Sequence, residues 1–148
     1  MSGKLIVVVG LPGSGKTTIM KSLKQAGRVN EIFDDYQAGT TGDVKDPRSS
    51  RYYSSLLAAL RAGKAAAVSD VRYCVHAELH RFLAAVLAEI PEVELELYYF
   101  ENDPEQCRKN IIKRERHIET VERELKLVKE YAPHYAVSKI TTCKVYRP

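Results

Sequence analysis

Lys4-Leu-Ile-Val-Val-Val-Gly-Leu-Pro-Gly-Ser-Gly-Lys-Thr-Thr18 joins an apolar run to a glycine-rich turn and a lysine–threonine pair. Leu5 to Val9 is apolar and β-branched, as expected of a strand buried on both faces of a parallel sheet. Gly10 to Thr17 then matches the P-loop spacing G-x-x-x-x-G-K-[ST] at every fixed position. Glycines at 10, 13 and 15 let the backbone turn sharply and approach a ligand closely. A helix starting near Lys16, with Ile19, Leu23 and Ala26 at helical spacing, adds its positive dipole end. The result is a cradle for phosphate groups formed by Gly10, Leu11, Pro12, Gly13, Ser14, Gly15, Lys16, Thr17 and Thr18. Lys16 is expected to reach the β- and γ-phosphates, and the Thr17 hydroxyl to ligate Mg²⁺.

Bulk properties are consistent with that seat. At 148 residues the chain is expected to be one domain able to bury about two-thirds of its unfolded surface. Apolar residues make up 45% and charged residues 28%, an ordinary globular balance that argues against a disordered chain. The net charge of +4 suits anionic ligands without singling out nucleic acid. Cys74, Cys107 and Cys143 are scattered, with no C-x-x-C, so neither a zinc site nor a disulfide framework is expected. Reduced, mostly buried thiols and a cytoplasmic location follow. The N-terminal apolar run is too short for a signal peptide or a membrane span, and no membrane partner is expected.

Beyond the phosphate loop, strand-like and helix-like patterns alternate, which predicts an α/β fold with a mainly parallel sheet. The first helix should run from Lys16 to Ala26 and stop at Gly27. A second strand over 29–33 delivers Asp34, Asp35 and Tyr36 at its carboxyl end, on the same rim as the phosphate loop. Residues 37–47 read as a mobile loop. Helices are expected over 47–62, with Tyr53, Leu56, Leu57 and Leu60 inward, and over 75–90, with Leu79, Phe82, Leu83, Val86 and Leu87 inward. Strands are expected over 65–70 and 93–100. Asp103-Pro104-Glu105 reads as a helix start. It opens a basic helix reaching His117, then an amphipathic helix carrying Ile118, Val121, Leu125 and Val128. Residues 140–146 form a fifth strand candidate.

Phosphoryl transfer needs a base or positioner for the nucleophile, a metal and cations for the developing charge. Asp34, with Asp35 beside it on the acceptor side, is the base candidate, against the plainer reading of a turn or cap. Asp70, after Val68 and Ser69, could hold the metal through its water shell, or cap the strand end. Arg72 could face substrate or solvent. On a continuous basic helix Lys109, Lys113 and Arg116 share one face, while Arg114 falls with Cys107, Ile111 and Ile118 on the inward side. An inward arginine requires an anion, which a bound triphosphate would provide. Arg48 and Arg51 are further candidates for an anionic acceptor.

These residues resemble the P-loop kinases that phosphorylate small metabolites or polynucleotide 5′ ends, the AAA_33 and zeta-toxin-like small kinases. Asp34-Asp35-Tyr36 is similar to the acid-acid-tyrosine of polynucleotide 5′-hydroxyl kinases, which implies that Asp34 is the base. Val68-Ser69-Asp70 resembles a strand end in the same group. Asn102-Asp103-Pro104, leading into Cys107 and the arginines, is similar to their short lid, which implies lid roles for Arg114 and Arg116. The implied fold is a three-layer, five-stranded sheet in order 2-3-1-4-5 with helices on both faces and a basic lid around 104–117. The implied activity is transfer from Mg·ATP to a hydroxyl. Gln37 stands where polynucleotide kinases carry an arginine, so a nucleic-acid acceptor stays open. Two alternatives remain. One is an ATP-binding switch without an acceptor; no N-K-x-D, T-K-x-D or D-x-x-G motif supports a GTPase. The other is a nucleotide kinase whose acceptor phosphate meets Arg48, Arg51 and Arg72.

Overall fold

A computed structural model describes residues 3–37, 46–137 and 142–145. Five parallel strands stand in the order β2-β3-β1-β4-β5: β1 Lys4–Val9, β2 Glu31–Phe33, β3 Ala65–Ser69, β4 Glu94–Phe100 and β5 Thr142–Cys143. β1 is central, and Leu5 to Val9 are almost wholly removed from solvent. Burying each such side chain contributes about 1.5–3 kcal/mol, and it places the phosphate loop at the middle of the sheet's carboxyl edge.

The alternation of β1 divides the core. Leu5, Val7 and Val9 pack against α2 (Tyr53–Arg61), α3 (His76–Glu89), α4 (Pro104–Arg114) and α5 (Ile118–Tyr131). Ile6 and Val8 pack with Phe100 against Met20 and Leu23 of α1 (Lys16–Gln25). Helices therefore cover both faces, as expected. Gly27 and Gly63 follow α1 and α2 with φ of +75° and +78°, the left-handed geometry that ends a helix.

Of the expected helices, one is divided, one is found nearly whole and one ends early. The span 47–62 is a 3₁₀ turn, Pro47–Ser49, and then α2. Ser50 between them is extended; its hydroxyl donates to the Tyr36 carbonyl at 2.5 Å and accepts from the Tyr52 N–H at 3.1 Å, diverting the backbone from a helical ladder. The span 75–90 is preceded by a separate 3₁₀ turn, Val71–Cys74, capped by the Asp70 carboxylate. The basic helix ends at Arg114, because Glu115 is extended (ψ 139°), and α5 restarts at Ile118. That break turns Ile118 outward, 69% exposed, instead of inward, and it ends the face that Lys109 and Lys113 were to share with Arg116. Most of the expected 37–47 loop lies outside the described residues, as do 140, 141 and 146 of the fifth-strand candidate; among its described residues Thr142 and Cys143 form strand. Among the described residues no helix is long and apolar enough to cross a membrane.

Candidate active site

The phosphate loop is fixed from below and behind. The Ser14 N–H donates to the Leu11 carbonyl at 3.2 Å, closing the turn. Gly13 and Gly15 have φ of +82° and +108°. A Cβ on Gly13 would sit 2.6 Å from the Cys107 carbonyl oxygen of α4, so that glycine is required by both conformation and space. Asn110, one turn further along α4, donates from Nδ2 to the Gly13 carbonyl at 2.9 Å in a buried setting. Tyr135, after α5, directs its hydroxyl at the carbonyls of Val9 and Phe100, the last residues of β1 and β4. α1 has no side-chain cap, so the N–H groups of its first turn remain free to meet an anion.

Lys16 and Thr17 emerge from this frame. Lys16 Nζ donates to the Gly10 carbonyl at 2.6 Å. The Thr17 hydroxyl donates to Asp34 Oδ2 at 2.5 Å, while Asp34 Oδ1 accepts from the Ser69 hydroxyl at 2.7 Å and the Asp35 N–H at 3.0 Å. Asp34 thus ties the ends of β2 and β3 to the first turn of α1. Asp35 adopts φ +49°, a left-handed conformation rare for a side-chain-bearing residue. Partial desolvation at the cleft wall, and then the neighbouring Asp34 charge, raise its carboxyl above the ordinary range; Lys16 and Arg123 oppose the rise.

Asp70 is buried and engaged on both oxygens. Oδ2 accepts from the Gln37 N–H at 2.7 Å, and Oδ1 from the Arg72 N–H at 2.9 Å and Arg72 Nη1 at 3.2 Å. The capping role therefore coexists with any role toward a metal.

A cleft of about 450 Å³ gathers Pro12, Gly13, Gly15, Lys16, Thr17, Thr18, Asp34, Asp35, Asp70, Arg72 and Arg114. Gly10, Leu11 and Ser14 lie beneath it as frame, with Leu11 and Ser14 fully buried. Arg114 is half-exposed rather than inward, and its anions are Glu124 (Nη2 to Oε2, 2.8 Å) and Glu115 (Nε to Oε1, 3.1 Å). Arg116 does not line the cleft, because it follows the break at Glu115. Arg48 pairs with Asp46 and Arg51 lies against Tyr52, both away from the cleft lining. Cys74 and Cys107 are buried free thiols, pushed up by burial to about 11 and about 12, so neither serves as a nucleophile at neutral pH.

Arg123, Glu124, Leu127 and Tyr131 of α5 also line the cleft. Sequence patterning missed them because α5 reads simply as amphipathic. The one available signal was that 123, 127 and 131 recur at i, i+4 and i+8. Asn110 and Tyr135 were missed too: a lone polar residue in a basic helix and a tyrosine after a proline carry no local signature.

A model of the AAA_33 family, described as an AAA domain, matches residues 5–134. The chain belongs to this P-loop kinase family. One relative is uncharacterized protein R277 of Acanthamoeba polyphaga mimivirus, 28% identical over 139 residues that cover 93% of this chain and 90% of that protein. A chain of the Pnkp1/Rnl/Hen1 RNA repair complex superimposes on this AAA_33 chain with a TM-score of 0.59 at 17% identity, covering 91% of this chain. This chain spans about half of that one, 47%. A gluconokinase from Sinorhizobium meliloti 1021 gives a TM-score of 0.55 at 12% identity, covering 99% of this chain and 85% of that one. At these identities the likeness is one of fold.

Proposed function

We propose that this single domain is an ATP- and Mg²⁺-dependent kinase that moves the γ-phosphoryl group to a hydroxyl. The observation that carries the reading is the 2.5 Å hydrogen bond from Thr17 to Asp34 within a cleft that also holds Lys16. It brings a metal-ligating hydroxyl type and a proton-accepting carboxylate to one point beside a phosphate seat.

The residues present fit Mg·ATP. Gly13, Gly15 and the N–H groups at the start of α1 form the concavity, Lys16, now on the Gly10 carbonyl, would hold phosphate oxygens, and the Thr17 oxygen would be available to a metal while its hydroxyl hydrogen points at Asp34. Bound Mg·ATP supplies the phosphoryl group and neutralises part of its charge. Asp34 orients the acceptor hydroxyl and takes its proton as the new bond forms. Arg114 stands at the lip to meet the charge on the transferring group, and Asp70 positions Arg72 and the backbone of Gln37.

ATP-dependent chemistry and the two buried free thiols support a cytoplasmic setting. The deciding experiment measures labelled phosphate uptake from ATP by nucleosides, sugars, small hydroxy acids and 5′-hydroxyl oligonucleotides. The oligonucleotides are included because of the fold shared with the RNA repair chain. Uptake by at least one acceptor that is lost in Lys16→Ala and Asp34→Asn is the expected result. ATP consumption that no acceptor changes would replace this reading with that of a hydrolysing switch.

A further inference from the structure

Three arginines line the cleft, and two already have carboxylate partners. Arg72 is held by Asp70 at 3.2 Å, and Arg114 by Glu124 at 2.8 Å. Arg123, on α5, has no carboxylate within ion-pair distance among the described residues. Its charge instead reaches Asp35, which lines the same cleft beside Asp34. An arginine at a cleft wall without a counter-ion presents an open fork of donors matched to a carboxylate or phosphate.

Arg123 also belongs to a row. Leu127 and Tyr131 follow at i+4 and i+8 and line the same cleft. At about 1.5 Å per residue, the row runs about 12 Å along one face of α5. Its aromatic end lies in the field of Arg72 and Asp70, and its cationic end in that of Asp35. The phosphate seat is built from other elements, the glycine loop and α1. The α5 row therefore forms the wall for a second ligand, with a cation, an aliphatic contact and an aromatic surface in sequence.

We infer that Arg123, Leu127 and Tyr131 form the acceptor wall, with Arg123 gripping an anionic group. The acceptor is then a hydroxyl compound that carries a phosphate or carboxylate beside an apolar or ring-shaped body. This rests on the kinase reading of the same cleft.

The test uses acceptors in matched pairs: adenosine against adenosine 3′-monophosphate for the phosphate arm, and glycerol against glycerate for the carboxylate arm. In the wild type, the charged member of at least one pair is preferred tenfold or more in kcat/KM. Arg123→Ala reduces that preference to threefold or less through KM, and Arg123→Lys retains part of it. A second measurement needs no turnover. Inorganic phosphate and, separately, acetate are titrated into protein saturated with Mg²⁺ and a non-hydrolysable ATP analogue, followed by backbone amide shifts of α5. The wild type binds at least one anion, Arg123→Ala binds it at least tenfold more weakly, and both bind the analogue equally.

Loss of analogue binding in Arg123→Ala would assign the arginine to the nucleotide and overturn the inference. So would a neutral acceptor preferred in both pairs, or no anion binding to the loaded wild type. Anion binding that depends on Arg123, with transfer to no hydroxyl, would remove the kinase reading and still uphold Arg123 as the anchor of a second ligand.

Discussion

The Thr17 hydroxyl donates to Asp34 Oδ2 at 2.5 Å, across 17 residues of sequence. This bond links the first turn of α1 to the end of β2, and the Ser69 hydroxyl on the other Asp34 oxygen brings in β3. Asp34→Asn keeps the shape of the side chain and removes its ability to take a proton. Transfer in single-turnover assays is expected to fall by about 10²–10⁴-fold, with the Kd for Mg·ATP within a few-fold of wild type. Normal turnover in this variant would leave Asp34 no part in proton transfer.

Asp35 gives a pH signature. Burial and the neighbouring Asp34 charge hold its folded-state pKa above that of an ordinary aspartate. Its contribution therefore favours folding below the unfolded value and is lost as pH rises through the folded one. Asp35→Asn removes that loss while keeping a residue type tolerant of φ +49°. Its Tm should exceed that of wild type by about a degree or two at pH 7, the exposed setting keeping the gain small, and the difference should vanish near pH 3. Asp35→Val, which is strained at that φ, should lower Tm at every pH. A higher Tm for Asp35→Asn that persists at pH 3 would exclude a titration origin.

Asn110 tests the mounting of the phosphate loop. Asn110→Ala leaves the buried Gly13 carbonyl without its 2.9 Å partner, at a cost of about 1–3 kcal/mol in urea unfolding. Nucleotide affinity should fall with it. Gly13→Ala forces a Cβ to within 2.6 Å of the Cys107 carbonyl at φ +82° and should cost at least about 2 kcal/mol. Wild-type stability in both variants would mean that α4 does not hold the loop.

Arg114 separates stability from function. Its bridge to Glu124 is half-exposed on the arginine side, so Arg114→Ala should cost less than about 1 kcal/mol. Transfer should nevertheless fall by on the order of 10²-fold or more, since a cation at the transferring phosphoryl group is lost. Glu124→Gln removes the competing anion and should tighten Mg·ATP binding measured by calorimetry. Unchanged affinity in Glu124→Gln together with unchanged transfer in Arg114→Ala would place both residues outside the reaction.

What the sequence carried follows from where the information is local. The β1–loop–α1 unit is contiguous, and each of its demands falls on a particular residue type, so the turn at Gly13 and Gly15 and the start of α1 at Lys16 and Thr17 were legible from spacing alone. Apolar periodicity located Leu56, Leu60, Phe82 and Val86 in the core for the same reason. The break at Glu115 was not legible, since Lys113-Arg114-Glu115-Arg116 contains neither glycine nor proline and reads as continuing helix. Everything dependent on that break, namely the exposed Ile118, the displaced Arg116 and the half-exposed Arg114, went with it. The α5 wall was hidden because a helix facing a cleft and a helix facing a core share one periodicity. Asn110 and Tyr135 act over 97 and 126 residues of separation, and nothing in their neighbourhoods announces a distant carbonyl.

α4 touches both ends of the cleft. Asn110 grips the underside of the glycine loop, and one turn later Arg114 leans toward α5 through Glu124. A rigid rod fastened at two points cannot tilt at one without moving the other. Filling the phosphate pocket should therefore alter the affinity of whatever lies along α5, and by thermodynamic reciprocity the second occupant should change the grip on the first by the same factor.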